Sequence, residues 1–182
     1  CLMCKTRLDH LPEEQPITVE PLKAFPLVRD LVTDVSWNYE VNSRIPPFTP
    51  GPDADWSIGQ DDVDRMAEFR KCIECFLCQD VCHILRDHRM HNRYYGPRFL
   101  VRIASLEMHP LDTLDRADLM ADDAGLGLCN ITKCCSEVCP EGIHITDNAV
   151  IPLKERLVDR RYDPLAKLGR RLFGRGRSRP RA

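Results

Sequence analysis

No stretch of this 182-residue chain approaches the 18 or more apolar residues that a membrane-spanning helix needs, so any membrane contact is expected to be peripheral or through a partner. No basic-then-apolar leader precedes Cys1, nothing marks an oxidising compartment, and a disulfide framework is therefore not expected. Net charge is small as well: 26 Lys and Arg against 28 Asp and Glu leave −2. That near-balance is local in origin. Residues 160–182 hold nine basic residues and one acid, Asp163, a net +8 against −10 for residues 1–159. Such a tail is either a solvated extension or a segment that meets anionic lipid head groups. No groove-binding element accompanies it, and a nucleic-acid partner is not expected. What the chain does have is 10 Cys, an unusual density, within a composition of 43% hydrophobic and 30% charged residues that indicates a globular protein. With disulfides set aside, metal binding is the leading explanation for those thiols.

Folding signals divide the chain. Ile17, Val19 and Leu22 alternate around polar residues and predict a last short strand of a domain that began earlier. Val28, Leu31, Val32 and Val35 stand at helical spacing, so a helix is expected to leave that domain. Four Pro and two Gly between Pro46 and Gly59 predict a linker over 46–60 and a boundary near residue 45. Beyond it the pattern is helical over 61–160, before the basic tail 161–182. Asp61 and Asp62 open one helix and Arg70 closes it in the order that suits a helix dipole. Pro97 starts a second, which Pro110 stops. A third is expected from about Asp112 to Gly125, and a fourth capped by Thr146, with Pro152 near its first turn.

Eight of the cysteines fall in two runs. Cys72, Cys75, Cys78 and Cys82 read C-x2-C-x2-C-x3-C, the spacing of a bacterial ferredoxin, in which three thiolates surround one iron–sulfur cube and the fourth binds the other cluster. The second run repeats this with Cys129, Cys135 and Cys139, but Thr132 stands where the second Cys belongs. Exchange of one ligand between runs gives Cys72, Cys75, Cys78 and Cys139 to a complete [4Fe-4S] cluster. It leaves Cys82, Cys129 and Cys135 for a three-thiolate site, whose cube loses one iron to become [3Fe-4S]. Zinc is the alternative for paired C-x2-C runs, but seven thiolates at these spacings suit two interlocked cubes better. Cys134 is the spare: it could supply a fourth ligand to the three-thiolate site, but adjacent residues point in different directions, and it is read as a buried structural thiol.

These runs, together with the Cys-Pro-Glu-Gly ending from Cys139 to Gly142, resemble the iron–sulfur subunit of succinate dehydrogenase and fumarate reductase over nearly the whole chain. Residues 2–7, with Cys4, resemble the segment that holds the last of four ligands to a [2Fe-2S] cluster, and Ile17 to Pro21 the strand that follows. The resemblance implies a mainly α fold: a helical two-cluster ferredoxin-like domain following the C-terminal remnant of a β-grasp 2Fe-2S ferredoxin domain, here residues 1–45. It implies a chain that is the C-terminal part of a longer subunit. It also implies one-electron relay through [2Fe-2S], [4Fe-4S] and [3Fe-4S] between an FAD-containing flavoprotein subunit and a quinone held at a cytochrome b-type membrane anchor, on the cytoplasmic face of a bacterial membrane. This chain has His83, Asp87 and Asn130 where better-known members have Pro, Trp and His, which points to a divergent branch, with menaquinone one possibility. His83, Asn130 and Thr132 are the candidates for the quinone edge. Neighbouring Arg86, His88, Arg89, His91 and Arg93 are read as a charged face toward solvent or the anchor. The main rival is a two-cluster redox subunit of the heterodisulfide-reductase or glycerol-3-phosphate dehydrogenase type, which generally keeps both cubes complete.

Overall fold

The longest helices are held by packing and not by side-chain caps, and they lie about the cysteine runs. The structure, a computed structural model, describes residues 1–161 other than residue 13, together with residues 163, 164 and 168. A short antiparallel hairpin pairs β1 (Leu27–Arg29) with β2 (Val32–Thr33), and α1 (Ser36–Arg44) follows. After an extended stretch come α2 (Gln60–Arg70), the single turns α3 (Leu77–Asp80) and α4 (His83–Arg86), and α5 (Pro97–Glu107). A π-helical turn (Leu119–Asp123) leads to α6 (Cys134–Glu137), a second π-helical turn (Ile145–Val150) and α7 (Ile151–Arg161). The architecture is therefore mainly α with one two-stranded sheet.

The centre of the molecule is α5. Pro97 supplies the fixed φ of its first turn, and Phe99, Leu100, Val101, Ile103, Ala104 and Leu106 make it apolar nearly all round, so it is buried except at Arg102 and Ser105. It packs against α2, α3 and the turn at Ile145–Val150. Gly96, just before it, has φ +85°; a Cβ there would lie 2.1 Å from Gln79 Oε1 and 2.6 Å from Leu85 Cδ1, so only glycine fits. The Gln79 side chain occupies that space: its Nε2 donates to Tyr95 O at 2.9 Å, and its Oε1 accepts from the Arg98 N–H at 3.3 Å. Helix α3, which carries Cys78, is thus tied to the start of α5.

At the end of α5 a buried ionic cluster joins distant segments. Arg116 Nη2 lies 2.9 Å from Asp112 Oδ2 and donates to Pro47 O at 2.8 Å, while Glu107 reaches Arg116 at 3.9 Å and Arg160 of α7 at 2.9 Å. The Pro-rich stretch after residue 45 is held by this cluster, by a bridge between Pro50 and Asp112, and by the Thr113 N–H donating to Thr49 O at 2.9 Å.

Four local expectations change. Residues 28–35 form a hairpin and not a helix: Asp30 takes φ +50° to turn the chain, and Leu27, Val28 and Val32 remain exposed, so no apolar stripe was being buried. Residues 17–22 find no partner strand among the described residues and stay extended. The third helix is reduced to the turn around Leu119–Asp123, because Asp112 and Arg116 are drawn into the ionic cluster. Thr146 does not cap the last helix; it is buried inside the preceding turn, where its N–H donates to Ser136 Oγ at 3.0 Å, and His144 stands at the cap position. Of the basic tail, Arg160 and Arg161 belong to α7 and pair with Glu107, Asp115 and Asp122, while nearly all the rest lies outside the described residues. No helix among the described residues is long and apolar enough to cross a membrane.

Candidate metal centres

Each cysteine run folds as a loop followed by one helical turn, and the two loops share a backbone signature. In the first, Glu74 and Phe76 adopt φ +57° and +60°; in the second, Ile131 and Lys133 adopt φ +63° and +64°. These are the second and fourth residues after the leading Cys in both runs. Non-glycine residues there cost about 1 kcal/mol or more each, so two such pairs in register mark a loop shape imposed by function. The match also fixes the alignment: Thr132 occupies the position of Cys75, Cys135 that of Cys78, and Cys139 that of Cys82.

The first cavity is lined by Cys72, Cys75, Cys78 and Cys139, so the fourth thiol of the second run joins the first three of the first run. Its walls are mostly apolar, with Val101 of α5 and Ile143 and Ile145 beyond the second run, and Glu74, Arg98 and Glu141 are the charged residues at its edge. Soft thiols around a dry cavity suit an iron–sulfur cluster. Among the described residues no three Cys, His, Asp or Glu side chains converge as the ligands of one ion would; zinc thiolates would meet at about 2.3 Å from a single point.

The second site brings Cys82, Cys129 and Cys135 together around Tyr94. The Tyr94 ring is fully buried, and its hydroxyl, beside Cys129 but outside hydrogen-bond geometry, has no partner among the described residues. An orphaned buried donor facing three thiols fits a site that holds an electron-rich group. Cys135 Sγ also lies 3.5 Å from Thr146 Oγ1. Helices α3 and α6 pack on one another, so the two sites lie back to back across these two turns.

Burial governs the thiols. It pushes Cys82 up to about 11, with the like charges of Cys134 and Cys129 adding, and it raises Cys72, Cys135 and, furthest, Cys78. Without a group to neutralise them these side chains stay protonated near neutral pH, and metal assembly must release those protons.

The expected residues are thus largely assembled, with two differences. Cys134 is half-exposed, not buried, and its Sγ stands 3.3 Å from Thr132 Oγ1. His91 leaves the charged face: its ring packs edge-on to Trp37 at 4.7 Å, and its Nε2 is buried without a partner. His83, half-buried at the start of α4, and the exposed Asn130 and Thr132 flank the ligands of the second site. Cys4 is exposed, but the adjacent Lys5 Nζ donates to Pro140 O at 3.3 Å and pairs with Glu141, next to Cys139.

Sequence reasoning passed over Tyr94 and Arg98. Arg98 lines the first cavity, is buried, pairs with Glu74 of the cysteine loop and has an unpartnered Nε. No spacing announces either residue; a charged residue directly after the Pro of an apolar helix was the one available sign for Arg98.

Comparison with known proteins follows the same lines. A profile of the 4Fe-4S dicluster domain matches residues 68–143. The chain is 29% identical over 151 residues to the fumarate reductase iron–sulfur subunit of Mycobacterium tuberculosis, covering 78% of this chain and 59% of that one. It is 29% identical over 154 residues to the succinate dehydrogenase iron–sulfur subunit of Bacillus subtilis, covering 79% and 58%. The chain therefore spans just under three fifths of these curated relatives. Among solved structures, a chain of the Mycobacterium smegmatis Sdh1 complex in the apo form superposes with a TM-score of 0.85 at 59% identity, over 90% of this chain and 70% of that one.

Proposed function

We propose that this chain, which belongs to the iron–sulfur subunit family of succinate dehydrogenase and fumarate reductase, is an electron-transfer subunit of a succinate:quinone oxidoreductase. The observation that carries the reading is the repeated left-handed loop pair, with ligands exchanged between runs around two adjoining sites. Clusters bound there supply one-electron redox chemistry. Cys72, Cys75, Cys78 and Cys139 would hold [4Fe-4S]; Cys82, Cys129 and Cys135 would hold [3Fe-4S]. Val101, Ile143 and Ile145 keep water from the first, and Tyr94 offers its hydroxyl to the second.

Cys4 is assigned as the last ligand of a [2Fe-2S] cluster whose remaining ligands lie outside this sequence. The contact of Lys5 with Pro140 and Glu141 supports an order in which that cluster adjoins Cys139 and the second site stands farthest away. In this order residues 1–45 are the end of a β-grasp domain, 46–60 a connector, 61–160 the two-cluster domain and 161–182 a basic tail. The FAD-containing flavoprotein subunit takes the [2Fe-2S] end. A cytochrome b-type membrane anchor and quinone take the other, where His83, Asn130 and Thr132 form the edge. The subunit then sits peripherally on the cytoplasmic face of the membrane.

Purifying the complex that contains this chain and adding succinate tests the reading. Visible sulfide-to-iron absorption is expected to bleach with succinate, and Cys78→Ser is expected to lose the reduced [4Fe-4S] spectrum and succinate–quinone turnover together. A colourless complex, or one with zinc in place of iron, would reject it.

A further inference from the structure

The second site is missing a thiol at one position of its loop and has an extra one two residues later. The matched left-handed residues of the two loops put Thr132 where Cys75 stands. Its hydroxyl is exposed, and the atom beside it, at 3.3 Å, is Cys134 Sγ. The same sulfur reaches Val81 O at 3.5 Å, one residue before the ligand Cys82. Cys134 therefore stands between the vacated ligand position of one run and the crossing ligand of the other. A structural thiol would be expected to fill core; this one is half-buried, and its sulfur meets only the Thr132 hydroxyl and the Val81 carbonyl among the described hydrogen-bonding groups.

We infer that Cys134 is the fourth, exchangeable ligand of the second site, which binds a ferrous ion at the corner left open by Thr132 and so turns a three-iron cluster into a four-iron one. The inference rests on the reading of that site as an iron–sulfur centre. Cys134 gives its thiol proton to solvent and binds Fe²⁺ as a thiolate, and three sulfides of the one-electron-reduced, neutral three-iron core complete the coordination. The product core is a dication, so charge balances with no further oxidant or reductant. Oxidation in air reverses the step: one electron leaves, the corner iron departs as Fe²⁺, and Cys134 is again a free thiol. Cys134 is half-buried, and the Thr132 beside it is exposed, so solvent reaches this corner from the Thr132 side. Iron supply would then decide which cluster the site carries, and with it the potential at the quinone end.

The test uses the intact complex. Air-oxidised enzyme is reduced anaerobically with dithionite, exposed to Mössbauer-active ferrous iron, freed of excess metal and split in two. One half is reoxidised anaerobically with a mild oxidant for EPR, and the other is alkylated under native conditions for peptide mapping. In wild type the oxidised three-iron signal is expected to disappear with uptake of one labelled iron per complex, and Cys134, alkylated before iron loading, to become protected. Cys134→Ala is expected to keep the three-iron signal and take up no iron, while Thr132→Cys/Cys134→Ala, which returns the thiol to the regular position, is expected to regain uptake. Equal alkylation of wild-type Cys134 with and without iron would overturn the inference, whatever the variants do. So would uptake by Cys134→Ala equal to wild type. Absence of any iron–sulfur chromophore from the wild-type complex would instead overturn the functional reading itself.

Discussion

At the scale of single residues, the assignment depends on which side chains meet a site and on what charge they bring. The cysteines were legible because ferredoxin spacing leaves few ways to distribute the thiols, and Thr132 was legible as the one interruption of that spacing. Arg98 was not, because a buried cation against a cluster cavity has no sequence pattern. It lines the first cavity, its guanidinium lies 5.4 Å from the centroid of the Phe99 ring, and it pairs with Glu74. A positive charge there favours the reduced, more negative cluster. Arg98→Leu should lower the midpoint potential of the [4Fe-4S] centre by on the order of 50 mV, taking an effective dielectric near 20. Arg98→Lys should restore most of it. A redox titration followed by EPR checks this, and an unchanged potential in the Leu variant would remove Arg98 from the tuning of the site.

At the scale of elements, charge order and Pro position correctly announced α2 and α5, because a dipole-matched first and last turn and a Pro at the first helical position act locally. The hairpin at β1 and β2 escaped because Val and Leu at positions 28, 31, 32 and 35 satisfy a helical period and a strand preference at once. In the segment His83 to Arg93, whose Asp87, His88, Arg89 and Arg93 are exposed as a charged face would be, His91 is the exception. Charge density suggested a surface, but α4 turns His91 inward against Trp37 and Phe25, where Trp37 Nε1 donates to His91 O at 3.2 Å. Burial lowers the pKa of this imidazole below 6.5. The unfolded chain then binds a proton more readily than the folded one, so stability should fall as pH drops below 6.5. His91→Phe keeps the aromatic packing and removes the unpartnered Nε2. It is expected to show a smaller loss of thermal stability across that pH range than wild type, measured side by side; equal losses would place the acid sensitivity elsewhere.

At the scale of the whole molecule, the Arg116, Asp112, Glu107 and Arg160 cluster joins the Pro-rich stretch, the end of α5 and α7 into one body around the metal sites. The Glu107 and Arg116 side chains are each 1% exposed. Removal of Glu107 leaves two buried or half-buried cations, Arg116 and Arg160, with one buried carboxylate, Asp112, and Glu107→Ala should cost about 3 kcal/mol of unfolding free energy, read from denaturant midpoints. A loss under 1 kcal/mol would mean that Asp112 alone neutralises Arg116. The sequence by itself grouped Cys139 with Cys72, Cys75 and Cys78, the four thiols that line one cavity in the fold, because thiol spacing along a short loop is a local property of the chain. Helix content after residue 60 was local too. Only the tertiary structure decided what surrounds the ligands, since that depends on segments far apart in sequence: Arg98 beside Cys72, the Tyr94 hydroxyl among Cys82, Cys129 and Cys135, Lys5 against Pro140, and Cys134 beside the space that Thr132 leaves.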